Sequence, residues 1–100
     1  MSVSVTPAAW ADVRDIAAEW EVSNPGGARE FFDRVEATLT ILEQFPRLYG
    51  RVRRVPRGRE IRCAPIRRSM YLAVYEVTGD DARVFSVAHA RRHEPWRSRL

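Results

Sequence analysis

Ser69-Met70-Tyr71-Leu72-Ala73-Val74-Tyr75-Glu76-Val77 is the stretch on which the fold turns. If extended, its side chains alternate between two faces, and both faces are apolar or aromatic, as expected of a strand covered on both sides. The predicted element is therefore a central strand, and it needs neighbours. Thr78-Gly79-Asp80-Asp81 follows as a turn, and Ala82 to Ala88 as the last strand. Upstream, Arg59-Glu60-Ile61-Arg62-Cys63 alternates, and Arg51 to Val55 alternates Arg and Val, so both read as strands. Alternation puts Glu60 and Arg62 on one face of their strand and Ile61 and Cys63 on the other. If Ile61 and Cys63 meet a covering layer, Glu60 and Arg62 point to the open face. Tyr71 and Tyr75 also share a face, and phenol rims suit a half-wet surface.

Before Pro46 the period is helical. Val3 and Val5 alternate with serines as a short first strand, and Thr6-Pro7 supplies an N-cap and a proline for the first turn. Trp10, Val13, Ile16, Ala17 and Trp20 then recur every three or four residues as one apolar stripe, with Asp12, Asp15 and Glu19 away from it. After a break at Val22-Ser23, Asn24-Pro25 repeats the start signal. The second helix aligns Ala28, Phe31, Phe32, Val35, Leu39 and Leu42 and closes at Phe45-Pro46. So short a turn predicts an antiparallel helix hairpin. The fold class is α+β: an N-terminal short strand, a two-helix hairpin, then an antiparallel sheet of three to four strands with the helices on one face, all in one domain over residues 1–100.

All 17 positive side chains are arginine. Residues 1–46 hold three of them against eight carboxylates, a net of −5; residues 47–100 hold fourteen against five, a net of +9. The arginines cluster at Arg51, Arg53 and Arg54; at Arg57 and Arg59; at Arg67 and Arg68; and at Arg91, Arg92, Arg97 and Arg99. A planar guanidinium fork fits phosphate and carboxylate in a bidentate way, so the C-terminal half is suited to polyanions or an acidic partner. With 45% apolar and 30% charged residues the chain reads as globular, and intrinsic disorder is not expected. No apolar run approaches the ~20 residues of a membrane helix, and the N-terminus lacks the basic and apolar regions of a secretory signal. One cysteine, Cys63, excludes an internal disulfide and a cysteine-cluster metal site, and makes a reducing, cytoplasmic setting the expectation.

The order of these pieces resembles the RelE/ParE superfamily of small bacterial toxins from type II toxin–antitoxin modules. The matching residues are Thr6-Pro7-Ala8 with Asp12-Val13; Asn24-Pro25 with Ala28 and Phe31-Phe32; Leu42 with Phe45-Pro46; Glu60-Ile61-Arg62; Tyr71-Leu72-Ala73-Val74-Tyr75; and Val87-Ala88-His89-Ala90-Arg91-Arg92. The resemblance implies a growth-inhibiting toxin neutralised by a cognate antitoxin through an acidic or amphipathic helical segment. It implies two possible targets. RelE-like members cleave messenger RNA on the ribosome without metal; ParE-like members poison DNA gyrase and lack that catalytic set. The closing phrase through His89 and the double arginine is nearer the ParE, or plasmid stabilisation, branch, since RelE-type nucleases often place a functional Tyr or His where this chain has Arg91, Arg92 and His93. A non-toxic binding module of the same fold is the third reading. No cofactor or metal and no membrane partner is expected.

Metal-free RNA cleavage requires a base for the 2′-hydroxyl, an acid for the leaving 5′-oxygen and cations at the phosphate. Arg62 and His89 are the catalytic candidates on that reading, with Glu60 and His93 beside them. The plain alternatives are a sheet arginine paired with Glu60, and a hydrogen-bonded histidine in phase with Phe85 and Val87. Arg53, Arg54, Arg67, Arg91 and Arg92 are the candidates for contact with nucleic acid or target; solvated loop charge is the plain alternative. Cys63 reads as a small core residue, Trp10 and Trp20 as core or helix-face residues, and Trp96 as packing the tail onto the sheet.

Overall fold

The computed structural model describes residues 2–100; Met1, where the reading of the N-terminus begins, lies outside the described residues. Strand β1 (Val3–Val5) leads into α1 (Pro7–Ser23) and α2 (Gly27–Gln44); β2 (Glu60–Pro65), β3 (Tyr71–Thr78) and β4 (Asp81–His89) follow, and a short 3-10 turn spans Pro95–Arg99. The sheet order is β1-β4-β3-β2. β2, β3 and β4 pair antiparallel, with β3 central as expected, whereas β1 joins β4 in parallel, so the sheet is mixed. Among the described residues, no helix is long and apolar enough to cross a membrane.

α1 begins as the sequence dictates: Thr6 Oγ1 accepts from the Ala9 amide at 3.1 Å, and Pro7 occupies the first turn. α2 starts two residues beyond Pro25. Asn24 ends α1, and Gly26, at φ 87°, turns the chain into α2 without a side-chain cap of its own. The carboxylate of Glu21, from α1, accepts from the Gly26 and Ala28 amides at 3.2 and 3.1 Å and so caps the neighbouring helix.

Val13, Ile16 and Ala17 of α1 and Phe31, Val35 and Leu42 of α2 pack on Ala64, Ala73, Tyr75, Val77, Val84 and Val87. Trp10 is 36% exposed, outside the core stripe in which its spacing placed it, while Ala9 is buried in its stead. The far face of the sheet is not open. Ile61, Val74, Phe85 and Trp96 form a second cluster there, roofed by Val52, Val55 and the C-terminal tail. Ile61 and Cys63 therefore face away from the helices, and Glu60 and Arg62 lie on the helix side, the reverse of the expected arrangement. Tyr75 is fully buried, not half-wet. Arg51 to Val55 is a loop that meets β2 at the Arg51–Arg62 bridge and through the Val52 amide, which donates to the Ile61 carbonyl at 2.7 Å; its valines lie three residues apart, both turned to the second cluster.

Beyond Val84, the edge of β4 away from β3 runs past the end of β1, which is only three residues long. Asp12 fills that edge: its Oδ2 accepts from the Val87 amide at 3.0 Å, and its two oxygens receive Arg99 at 2.6 and 3.0 Å. Arg99 also donates to the Phe85 carbonyl. A bare edge of the kind that invites foreign strands is thus closed by an ion pair.

Candidate functional site

Arg62 is held by structural partners. Its Nε donates to Glu60 at 2.7 Å and its Nη1 to the Tyr49 carbonyl at 2.6 Å, and its side chain is only 14% exposed. Arg47 grips the same carboxylate at 3.0 and 3.2 Å and the Gly79 carbonyl at 2.8 Å. Desolvation is the largest single influence on Glu60 and pushes its carboxyl upward, but the hydrogen bonds and charges of Arg62 and Arg47 together outweigh it and hold the group below its usual range. The Tyr75 hydroxyl donates to the Pro46 carbonyl at 2.8 Å, and burial pushes this phenol to about 12. These contacts anchor the segment from Pro46 to Arg51 across the end of the sheet.

His89 lies elsewhere. In the sheet register it stands opposite Tyr71, while Arg62 stands opposite Tyr75, on the other side of β3. Four residues along a strand are about 13 Å, so the two catalytic candidates do not converge on one phosphate. A bulge between Val84 and Ser86 also breaks the expected phase: Phe85 points to the far cluster and Val87 to the helix-side core. The His89 ring meets Tyr71 edge-on at 5.3 Å, and its Nδ1 accepts from the Arg91 amide at 3.1 Å. Both border an open cleft of about 310 Å³ between α1, the end of β4 and the tail, together with Asp15, Glu19 and Arg92. Burial, then the Glu19 carboxylate, push the Tyr71 phenol upward against the opposing pull of Arg92.

Cys63 is half-buried on the far face, and burial pushes its thiol to about 11, which leaves it a poor nucleophile. Trp96 is packed against Phe85, ring centroids 6.5 Å apart, so the tail lies on the sheet. No group of three or more His, Cys, Asp or Glu among the described residues is arranged to hold a metal ion.

The arginines divide into two classes. Arg29, Arg34, Arg47, Arg59, Arg62, Arg83, Arg97 and Arg99 reach carboxylates. Arg59 and Glu76 pair on the far face at 2.7 and 2.9 Å; that contact holds the Glu76 carboxyl below its usual range and raises the guanidinium. Among the described residues, Arg14, Arg51, Arg53, Arg54, Arg57, Arg67, Arg68, Arg91 and Arg92 have no ion pair, and all are exposed. All but Arg14 lie outside the helices. Arg53, Arg54 and Arg57 ride the loop over the far face. Arg67 and Arg68, in the β2–β3 turn, and Arg91 and Arg92, after β4, share one end of the sheet, where the Ala90 amide donates to the Met70 carbonyl at 2.7 Å. Spacing alone suggested the clusters; the fold separates cations paired with carboxylates from cations without such a partner.

The architecture and the residue pattern agree with what known proteins show. Residues 3–94 match a family described as the ParE toxin of type II toxin–antitoxin system, parDE. A solved structure described as the chromosomal ParDE TA system from P. aeruginosa aligns with a TM-score of 0.62 and 20% identity, covering 89% of this chain and 95% of that one, a likeness of fold. No curated protein matches the chain. The family match spans most of the sequence: this chain belongs to the ParE toxin family.

Proposed function

We propose that this member of the family is a cytoplasmic growth-inhibiting toxin that acts by contact with DNA gyrase and is neutralised by a cognate antitoxin. The observation that carries the choice of target is the separation of Arg62 from His89, each engaged by its own structural partners. Metal-free RNA cleavage needs its acid, base and cations around one phosphate, whereas a poison that works by protein contact does not. The free arginines, Arg53, Arg54, Arg67, Arg91 and Arg92 among them, supply a charged surface for the target.

For the antitoxin, the structure offers an apolar patch at the end of α2: Ile41, Phe45 and Leu48 are 37%, 58% and 60% exposed. Single surface ion pairs contribute ~0–1 kcal/mol, so the affinity for an amphipathic helical segment comes mainly from such apolar anchors. Phe45→Asp combined with Leu48→Asp should weaken antitoxin capture at least tenfold, about 1.4 kcal/mol, with the melting temperature held. Unchanged affinity in a titration of the purified pair would place the anchor elsewhere.

Inducible expression with and without the neighbouring gene tests the reading. Growth arrest relieved by the neighbour, with gyrase-dependent DNA breaks, is expected. The ribonuclease reading predicts instead new transcript ends in primer extension, lost in Arg62→Ala and His89→Ala. No arrest together with intact antitoxin binding would mark a non-toxic binding module.

A further inference from the structure

Two of the free arginines have backbones that an L side chain avoids: Arg54 at φ 60° and Arg68 at φ 55°. In the left-handed region Cβ crowds the following carbonyl, and glycine or asparagine is the usual occupant. A long cation stands at both positions, and both turns are braced by the same device. The Arg54 carbonyl accepts from Arg97 Nη1 at 2.6 Å, and the Arg53 carbonyl from Nη2 at 3.0 Å. The Arg68 carbonyl accepts from Arg34 Nη1. Each bracing guanidinium is itself fixed twice, by a carboxylate and by an indole face. Arg97 pairs with Glu94 and stands 4.7 Å over Trp96; Arg34 pairs with Glu30 and stands 5.2 Å over Trp20.

Strained backbone persists only where its surroundings over-determine it, and it gathers at sites of contact. Here the same brace of carboxylate, indole and carbonyl is built twice, on unrelated segments. Each time it satisfies the turn and leaves the strained residue's own guanidinium exposed and without an ion pair among the described residues. Each tip also carries a second exposed, unpaired arginine, Arg53 beside Arg54 and Arg67 beside Arg68. Such a density of cation suits a ladder of phosphates.

We infer that Arg54 and Arg68 are phosphate-contacting residues for duplex DNA, presented on turns whose strain the two braces hold. The choice of duplex DNA rests on the proposed action at gyrase, an enzyme that holds a duplex; the phosphate chemistry stands without it.

The test is fluorescence anisotropy of the full chain with a labelled duplex of about 20 base pairs, between about 50 and 200 mM salt. Arg54→Gly with Arg68→Gly removes both cations and relieves both turns. The melting temperature should hold or rise, while the slope of log affinity against log salt falls by about 1.8, since each phosphate contact contributes about 0.9. Asparagine at both positions, which tolerates the same backbone, serves if the glycine pair does not fold. Arg14→Ala with Arg29→Ala removes equal charge from the helix layer and should leave the slope unchanged. An unaltered slope in the glycine and asparagine pairs would overturn the inference, as would an equal fall in the helix-layer control. Tighter binding of single-stranded RNA with the same arginine dependence would overturn the duplex assignment. A positive result in a chain that produces no gyrase-dependent breaks would keep the phosphate contact and remove the gyrase reading.

Discussion

Tyr75 carries its hydroxyl into an interior where the side chain has no exposed surface, and donates a hydrogen bond to the Pro46 carbonyl at 2.8 Å. Tyr75→Phe keeps the ring and strands a buried acceptor. The expected cost is about 1 kcal/mol, a melting temperature lower by roughly 4–8 °C for a chain of this size. A calorimetric melt checks it; an unchanged midpoint would mean that water takes the proton's place. The sequence placed Tyr75 on a central strand correctly and misjudged its surroundings, because alternation orders the faces of a strand without saying what covers each. Arg62 repeats the lesson: its pairing with Glu60 was legible from their two-residue spacing, its contacts with the segment after Pro46 were not. The left-handed backbones of Arg54 and Arg68 had no signal at all, since nothing in an arginine announces a positive φ. Arg54 stood among the expected contact residues for its charge alone, and Arg68 stood outside them.

At the scale of elements, the two helices meet where Gly27 lets them. A Cβ at position 27 would lie 2.3 Å from the Trp20 carbonyl oxygen and 2.7 Å from its carbon, backbone atoms with no freedom to swing aside. In an exposed helix, alanine would gain about 1 kcal/mol over glycine. Here the clash wins, and Gly27→Ala should cost about 2–3 kcal/mol net, in the range of overpacked cores. Chemical denaturation reads it, and a neutral or stabilised variant would show that the hairpin can open without loss. The helices themselves were legible because Thr6-Pro7 and Phe45-Pro46 are local signals and the apolar stripe between them is local too. What failed was tertiary. Arg51 to Val55 alternates like a strand, yet its valines dock on the far cluster and Arg54 takes a left-handed turn. The parallel pairing of β1 with β4 joins Val3 to Ala82, and no local pattern encodes a partner that distant. The bulge at Phe85 split the expected set for the same reason: one inserted residue exchanges the faces of everything beyond it, so His89 keeps its phase with Val87 and loses it with Phe85.

Over the whole molecule, charge sorts by layer. The helix half has a net of −5 and the remainder +9, and helices cover one side of the sheet while arginine-bearing loops and turns cover the other and its end. That partition was legible by counting. The division into satisfied and free arginines was not, because it depends on which carboxylates the fold brings near. Glu60 and Glu76 are the carboxylates that tie the sheet's arginines down, the first with Arg47 and Arg62, the second with Arg59 and Arg83. Both are held below the ordinary value of 4.5 in the folded chain. A carboxyl with a depressed folded value stabilises fully above its unfolded value and loses that contribution as pH falls through the folded one. The urea midpoint should therefore be flat from about pH 7 to 5 and decline below about 4.5. Glu76→Gln separates this pair from other acid effects: its midpoint starts lower at neutral pH, because Arg59 loses its charged partner, and its decline in acid is shallower. If wild type and variant declined in parallel, Glu76 would carry none of the acid sensitivity, and the far-face arginines would be held by packing instead of charge.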